Sequence, residues 1–169
     1  MTISAIFAVD NSGGMGLNGS LPWPHNAPDL ANFQRLTKDN VIVMGRKTWD
    51  DPKMPKPLKG RIAYVASHSY APYAITFQGD LVTKLLELEK VHSGRNIFVI
   101  GGPGLIEAAK PVLDRIYLTH FRDSYKVDTR IHLGEFLKGF KPIRAQVNSD
   151  FQSTLITYAP IFNRTSTCS

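Results

Sequence analysis

Cysteine is nearly missing from this chain of 169 residues: the only one is Cys168. A disulfide framework is therefore excluded, and a reducing compartment, the cytoplasm, is the natural expectation. Long apolar runs are missing too, and none approaches the ~20 residues a membrane-spanning helix needs. No membrane partner is expected. The opening residues, MTISAIFAVD, have no basic stretch ahead of their apolar ones, so no secretory leader is expected either. Runs of five or more basic residues do not occur, although Lys and Arg outnumber Asp and Glu by 20 to 14, a net charge of +6. Scattered positive charge suits an anionic partner and argues against an electrostatic tail for nucleic acid. His25, His92, His120 and His132 show no metal-ligand spacing with one another or with Cys168, so no metal site is expected.

What is present is a globular composition, 43% hydrophobic and 20% charged, in a length that suits one domain over residues 1–169. Residues 3–9, ISAIFAV, form a nearly unbroken apolar run, the mark of a central strand buried on both faces. Residues 41–44, VIVM, predict a second buried strand, and further strands are expected at 62–66, 74–77, 96–100 and 115–121, with one or two more near 144–148 and 151–161. Helices are expected from about Pro28–Asp29, after Gly45, over 80–91, and after the glycines at 101–104. Strands alternating with helices predict an α/β fold with a largely parallel sheet, and the successive strands at the end predict an antiparallel edge.

The stretch LPWPHNAPDLANF, residues 21–33, holds a single carboxylate, Asp29, among Leu21, Trp23, Leu30 and Phe33. A carboxylate in apolar company is costly unless it is paired or used. Just before it, residues 14–19 match GxGxxG after a strand. That fingerprint requires a helix to open at the loop, so that its N-terminus faces a pyrophosphate. Three prolines between residues 22 and 28 forbid such a helix here. The glycines are read instead as a mobile loop able to close over a site.

Two strand-to-helix junctions have the makings of phosphate sites. VIVMGRKTW offers the start of a helix, the charges of Arg46 and Lys47, and the Thr48 hydroxyl. FVIGGPGLIEAAK offers glycines that let a ligand approach the backbone. Either junction alone is equally well read as a tight turn, but two in one small domain favour a ligand with two or more phosphates. Arg61 is a candidate fork for a carboxylate or phosphate, against the alternative of a solvated surface arginine. His68 follows a strand and is either a phosphate contact or an exposed loop residue. The residues alone thus reach an α/β enzyme or binding protein for a phosphorylated, nucleotide-like ligand.

GMGLNGSLPWP, DLANF, VIVMGRKTW, PLKGR, FVIGGPG, IYLTH and VDT stand in an order and at a spacing that identify the chain with a family. It resembles the dihydrofolate reductases from end to end. PLKGR and the PWP extension resemble vertebrate members, and GGP in the glycine loop resembles some phage members, in which case the compartment would be a host cytoplasm. The resemblance implies an eight-stranded, mostly parallel mixed sheet flanked by four main helices, with an antiparallel C-terminal edge. It implies hydride transfer from NADPH to C6 of 7,8-dihydrofolate, with protonation of N5 through water, a monomeric enzyme, and binding of antifolates. Asp29 falls at the pterin-binding carboxylate, supported by Thr119, with Trp23 helping to hold the water and Leu21 excluding solvent. Ile6, Phe7 and Ala8 would present backbone to the pterin and nicotinamide. Leu30, Phe33, Leu58 and Ile100 would wall the substrate, and Arg61 would grip its glutamate α-carboxylate. Met15, Gly16, Asn18, Gly19 and Ser20 would line the nicotinamide side. Arg46, Lys47 and Thr48 would hold phosphates, and Ser67 and His68 would sit near the adenosine 2′-phosphate. Gly101, Gly102, Gly104, Leu105 and Ile106 would cradle the pyrophosphate.

The chain departs from the family pattern in three places. Pro103 replaces the third glycine and removes one N–H donor. Ile106 replaces a frequent tyrosine. Gly104 replaces a bacterial arginine, which leaves the 2′-phosphate to Arg46, Lys47 and His68. Two rivals are a pyrimidine reductase of flavin biosynthesis, opposed by Asp29 with PLKGR behind it, and a basic nucleic-acid-binding or structural protein, opposed by the scattered charge and the Asp29, Thr119 and Arg61 set.

Overall fold

The apolar run at the start of the chain becomes β1 (Ile3–Val9), and its alternate residues go to opposite faces of a sheet. Ile3, Ala5, Phe7 and Val9 enter one core cluster, while Ile6 enters a second with Ile42, Met44, Trp49 and Leu58. That is the burial on both faces that an unbroken apolar strand requires. The computed structural model describes residues 2–164; Cys168 lies outside the described residues.

The other elements of the main sheet are β3 (Val41–Gly45), β4 (Ile62–Ala66), β5 (Ile75–Phe77), β6 (Ile97–Gly101), β7 (Arg115–Phe121), β9 (Phe140–Val147) and β10 (Ser153–Pro160). Their order across the eight-stranded sheet is β5-β4-β3-β6-β1-β7-β10-β9. Every pair from β5 to β7 is parallel, and β10 runs antiparallel to both β7 and β9. The mixed sheet with an antiparallel C-terminal edge is as expected. The register of β1 against β7 sets Ala8 beside Thr119.

Two helices of 11 residues, α1 (Ala27–Thr37) and α3 (Leu81–Val91), and one of 7, α4 (Pro103–Ala109), are joined by two single-turn helices, α2 (Arg46–Trp49) and α5 (Leu133–Phe136). The expected four main helices are thus three longer ones and two single turns. α3 buries Leu81, Leu85 and Leu88 one turn apart, below an Asp80 cap. α1 buries only Thr37. It begins at Asn26, whose side chain accepts the Asp29 N–H at 2.9 Å, with Pro28 in the first turn. No helix among the described residues is long and apolar enough to cross a membrane.

Two regions differ from the sequence expectation. The glycine loop is partly regular: β2 (Gly14–Gly16) pairs with β8 (Thr129–Arg130) in a separate two-stranded sheet. β9 begins at Phe140, four residues before the expected strand, because seven of its eight residues are exposed on an edge and give no alternation to read. Its Pro142 is tolerated beside a register slip at that edge.

Candidate active site

Asp29 stands in the first turn of α1, across from β7. The Thr119 hydroxyl faces its carboxylate and favours the charged form. Burial pushes the Asp29 carboxyl up, and the Thr119 hydrogen bond only partly offsets this. The group therefore holds a proton more readily than an ordinary aspartate. It keeps some solvent contact, while Thr119 is 3% exposed and fixed within the sheet. Ile6, Phe33, Leu58, Ile100 and Tyr117 pack on this same face of the sheet. Asp29 is thus a half-buried carboxylate set beside an apolar face of the sheet.

Arg61 lies against the C-terminal half of α1. Its Nε donates to Lys59 O at 3.1 Å and its Nη1 to Thr37 Oγ1 at 3.3 Å. Thr37 in turn donates to Phe33 O at 2.7 Å, so α1 steers the guanidinium. The Arg61 group lies 5.8 Å over the Phe33 ring. Among the described residues no carboxylate pairs with it. A half-buried cation without a counter-ion is suited to an anionic ligand.

The two junctions read as phosphate sites lie side by side, since β3 and β6 are neighbours and Met44 pairs with Gly101. The helices that follow, α2 and α4, start at Gly45 and Gly102 with no side-chain cap, which leaves first-turn N–H groups for an anion. A Cβ at Gly101, where φ is +156°, would meet Thr48 Oγ1 at 3.1 Å, so glycine is needed for this approach. The Gly101–Gly102 peptide is cis. Gly102 and Gly104 face open space. Arg46 reaches from α2 to the next loop, donating from Nη1 to Ser67 Oγ, Ser69 Oγ and O, and Tyr70 O, while Nε pairs with Asp50 at 3.0 Å.

A sequence profile of the family described as "Dihydrofolate reductase" matches residues 2–157. The chain belongs to the dihydrofolate reductase family. A type 9 dihydrofolate reductase from Escherichia coli is 34% identical over 143 residues, covering 80% of this chain and 78% of the relative. A Bacillus subtilis dihydrofolate reductase is 36% identical over 136 residues, covering 79% and 76%. The solved Enterococcus faecalis dihydrofolate reductase, in complex with NADP(H) and RAB-propyl, has the same fold. Its TM-score is 0.78 at 24% identity, covering 95% of this chain and 97% of that one.

The other residues singled out from the sequence stand in distinct settings. Trp23 is 4% exposed and stacks on Phe121 at 4.4 Å, which roots the loop that carries Leu21. Leu21, Leu30, Lys47 and His68 are exposed at the surface. The Phe7 side chain points to the opposite face, edge-on to Phe136 at 5.7 Å, so only its backbone can serve the cleft. Ile106 is corrected: it has 0% exposure inside the core and no surface to offer a cofactor. Helical spacing turns that position inward, beside Ala109. Four participants went unread in the sequence: Asn26, Thr37, Asp51 and Asp128. Asn26 had a local signal, a capping residue three positions before Asp29. The other three make contacts across the chain that no local spacing reveals.

Proposed function

We propose that this chain reduces 7,8-dihydrofolate to 5,6,7,8-tetrahydrofolate with NADPH, as a single-domain monomer in the cytoplasm. The observation that carries this reading is Asp29, its carboxyl raised by burial with Thr119 facing it, together with two uncapped helix starts that lie side by side at the ends of β3 and β6. The names of the relatives and the NADP(H) of the Enterococcus faecalis enzyme support it.

The residues present suit the cofactor. Uncapped N–H groups at α2 and α4, open space beside Gly102 and Gly104, and the Arg46 and Lys47 charges would receive its phosphates. Ser67 and His68 extend that site towards the 2′-phosphate, and residues 15–20 cover the nicotinamide side. When bound, NADPH supplies the hydride that goes to C6.

Asp29 accepts hydrogen bonds from the 2-amino group and N3 of the pterin. From that position it cannot reach N5, so a water carries the proton while Asp29 polarises the ring. Thr119 fixes the carboxylate, and Trp23 and Leu21 limit the entry of bulk water. Arg61, steered by Thr37, takes the substrate's α-carboxylate in bidentate fashion. Antifolates that present an amidine-like edge would meet the same Asp29.

The test is the loss of NADPH absorbance on adding dihydrofolate, with and without an antifolate, for the wild type and Asp29→Asn. The expected result is turnover that needs both substrates, is blocked by the antifolate, and nearly vanishes in the variant. No turnover, or turnover indifferent to Asp29, would overturn the reading.

A further inference from the structure

The segment between β2 and Leu21 is a small, well-defined hairpin. Leu17 and Ser20 exchange backbone hydrogen bonds, Leu17 N to Ser20 O at 2.8 Å and Ser20 N to Leu17 O at 3.1 Å. Asn18 and Gly19 between them have φ of 52° and 78°, the left-handed pair that a two-residue hairpin turn requires. One side of this tip is bound to the residue just before β8: the Asn18 N–H donates to Asp128 Oδ2 at 2.9 Å, and Asp128 N donates to Gly16 O at 2.9 Å.

The other side has a partner that the proposed reaction does not use. Ser20 Oγ lies 3.2 Å from both oxygens of Asp51. Asp51 follows α2 directly. Its own N–H donates to Thr48 O at 3.3 Å, and Lys53 N donates to its Oδ1 at 2.9 Å, so the carboxylate is oriented before Ser20 meets it. It is half-buried, which shields the contact in part from solvent. Asp51 is thus rigidly tied to the short helix of Arg46, Lys47 and Thr48, while Ser20 belongs to the hairpin across the cleft.

We infer that Asp51 is a positioning residue: through Ser20 it clasps the glycine hairpin to α2, closing the cofactor side of the cleft. This rests on the proposed use of NADPH. The hairpin is then strung between two carboxylates, and only one of them moves with the phosphate-holding wall. Loss of the Asp51 contact should free the tip on that side alone, leaving the Asp128 contact and the β2–β8 pairing in place. Cofactor beneath the tip should then leave faster, with little change in the hold on folate at Arg61.

The experiment is a double-mutant cycle on Ser20→Ala and Asp51→Ala, read in two ways on the intact protein. Amide hydrogen exchange at Leu17 and Ser20, in the protein without added ligands, reads the clasp itself. The rate of NADPH release reads its consequence. Both should rise about three- to tenfold in each single variant and no further in the double, the size of one part-exposed hydrogen bond to a charge. Asp51→Asn, which keeps an acceptor oxygen for Ser20, should recover most of the wild-type behaviour. Unchanged exchange, or strictly additive effects, would overturn the clasp. Faster exchange with unchanged NADPH release would overturn the positioning role. A wild-type protein that takes up no NADPH would overturn the proposed function and the positioning role together, whereas the exchange cycle reads the clasp independently.

Discussion

Asp10 and Asp29 are both carboxylates held out of bulk water, and their surroundings drive them in opposite directions. Burial pushes Asp10 up, but the N–H groups of Tyr125, Gly14 and Ser12 and the Ser12 hydroxyl together outweigh it, and its carboxyl falls below the usual range. The four contacts are 2.8 to 2.9 Å long. Burial also pushes Asp29 up, but Thr119 alone opposes it, and the carboxyl stays high. The number of donors, more than burial, separates the two. A carboxylate whose lone pairs are already filled holds a loop together. One with a single internal donor has room for a ligand and a reason to keep a proton.

The largest effect that would break this comparison is chemical. Asp29→Asn should lower turnover at neutral pH by about 10²–10⁴-fold. Its stability there should equal or exceed that of the wild type, because the folded protein no longer carries a costly buried charge. The sign follows from linkage: a carboxyl raised by folding contributes stability at low pH and loses it as pH rises through its folded pKa. The variant's advantage should therefore fade as pH falls through the raised Asp29 range. Thermal melts across pH check this, and a variant that unfolds at neutral pH would make Asp29 a structural group like Asp10.

Arg61 sharpens the comparison with a charge of the opposite sign. Like Asp29, it is steered by the fold without being neutralised. Arg61→Ala should weaken folate binding about tenfold to a hundredfold, the value of a charge-assisted bidentate contact, and leave NADPH binding nearly unchanged. Titration calorimetry with each ligand checks this, and equal losses would remove Arg61 from the substrate end.

The smallest effect falls on Asp10. Asp10→Asn sets an amide N–H against the Tyr125 N–H, at a cost of about 1–3 kcal/mol in stability. A carboxyl depressed by folding contributes stability above its unfolded pKa and loses it as pH falls through the folded one. The gap between wild type and variant should narrow in acid, as urea melts at several pH values would show.

The sequence was most readable where physics is local. β1, β3 and β4 announced themselves because strands buried on both faces need unbroken apolar runs. Asp29 stood out because its apolar neighbours are close in the chain. The failed GxGxxG was readable for the same reason: the prolines that forbid its helix follow at once, and among the described residues no helix appears before Ala27. The pairing of Gly14–Gly16 with Thr129–Arg130 was not, since more than a hundred residues separate the partners. Asp51, Asp128 and Thr37, whose partners lie 31, 110 and 24 residues away, stayed hidden because they are ordinary polar residues until the fold sets a partner in front of them. Ile106 misled because a family position was read without asking which face of α4 it takes.

The central claim is that Asp29 is the under-supplied carboxylate, poised to hold a proton and a ligand. Carbon-detected NMR titration of the aspartate carboxyls in the ligand-free protein, with Asp10 and Asp29 assigned through their Asn variants, tests it most directly. The account predicts that Asp29 titrates above the usual carboxylate range and Asp10 below it. An Asp29 that titrates within or below the usual range, alongside Asp10, would contradict it.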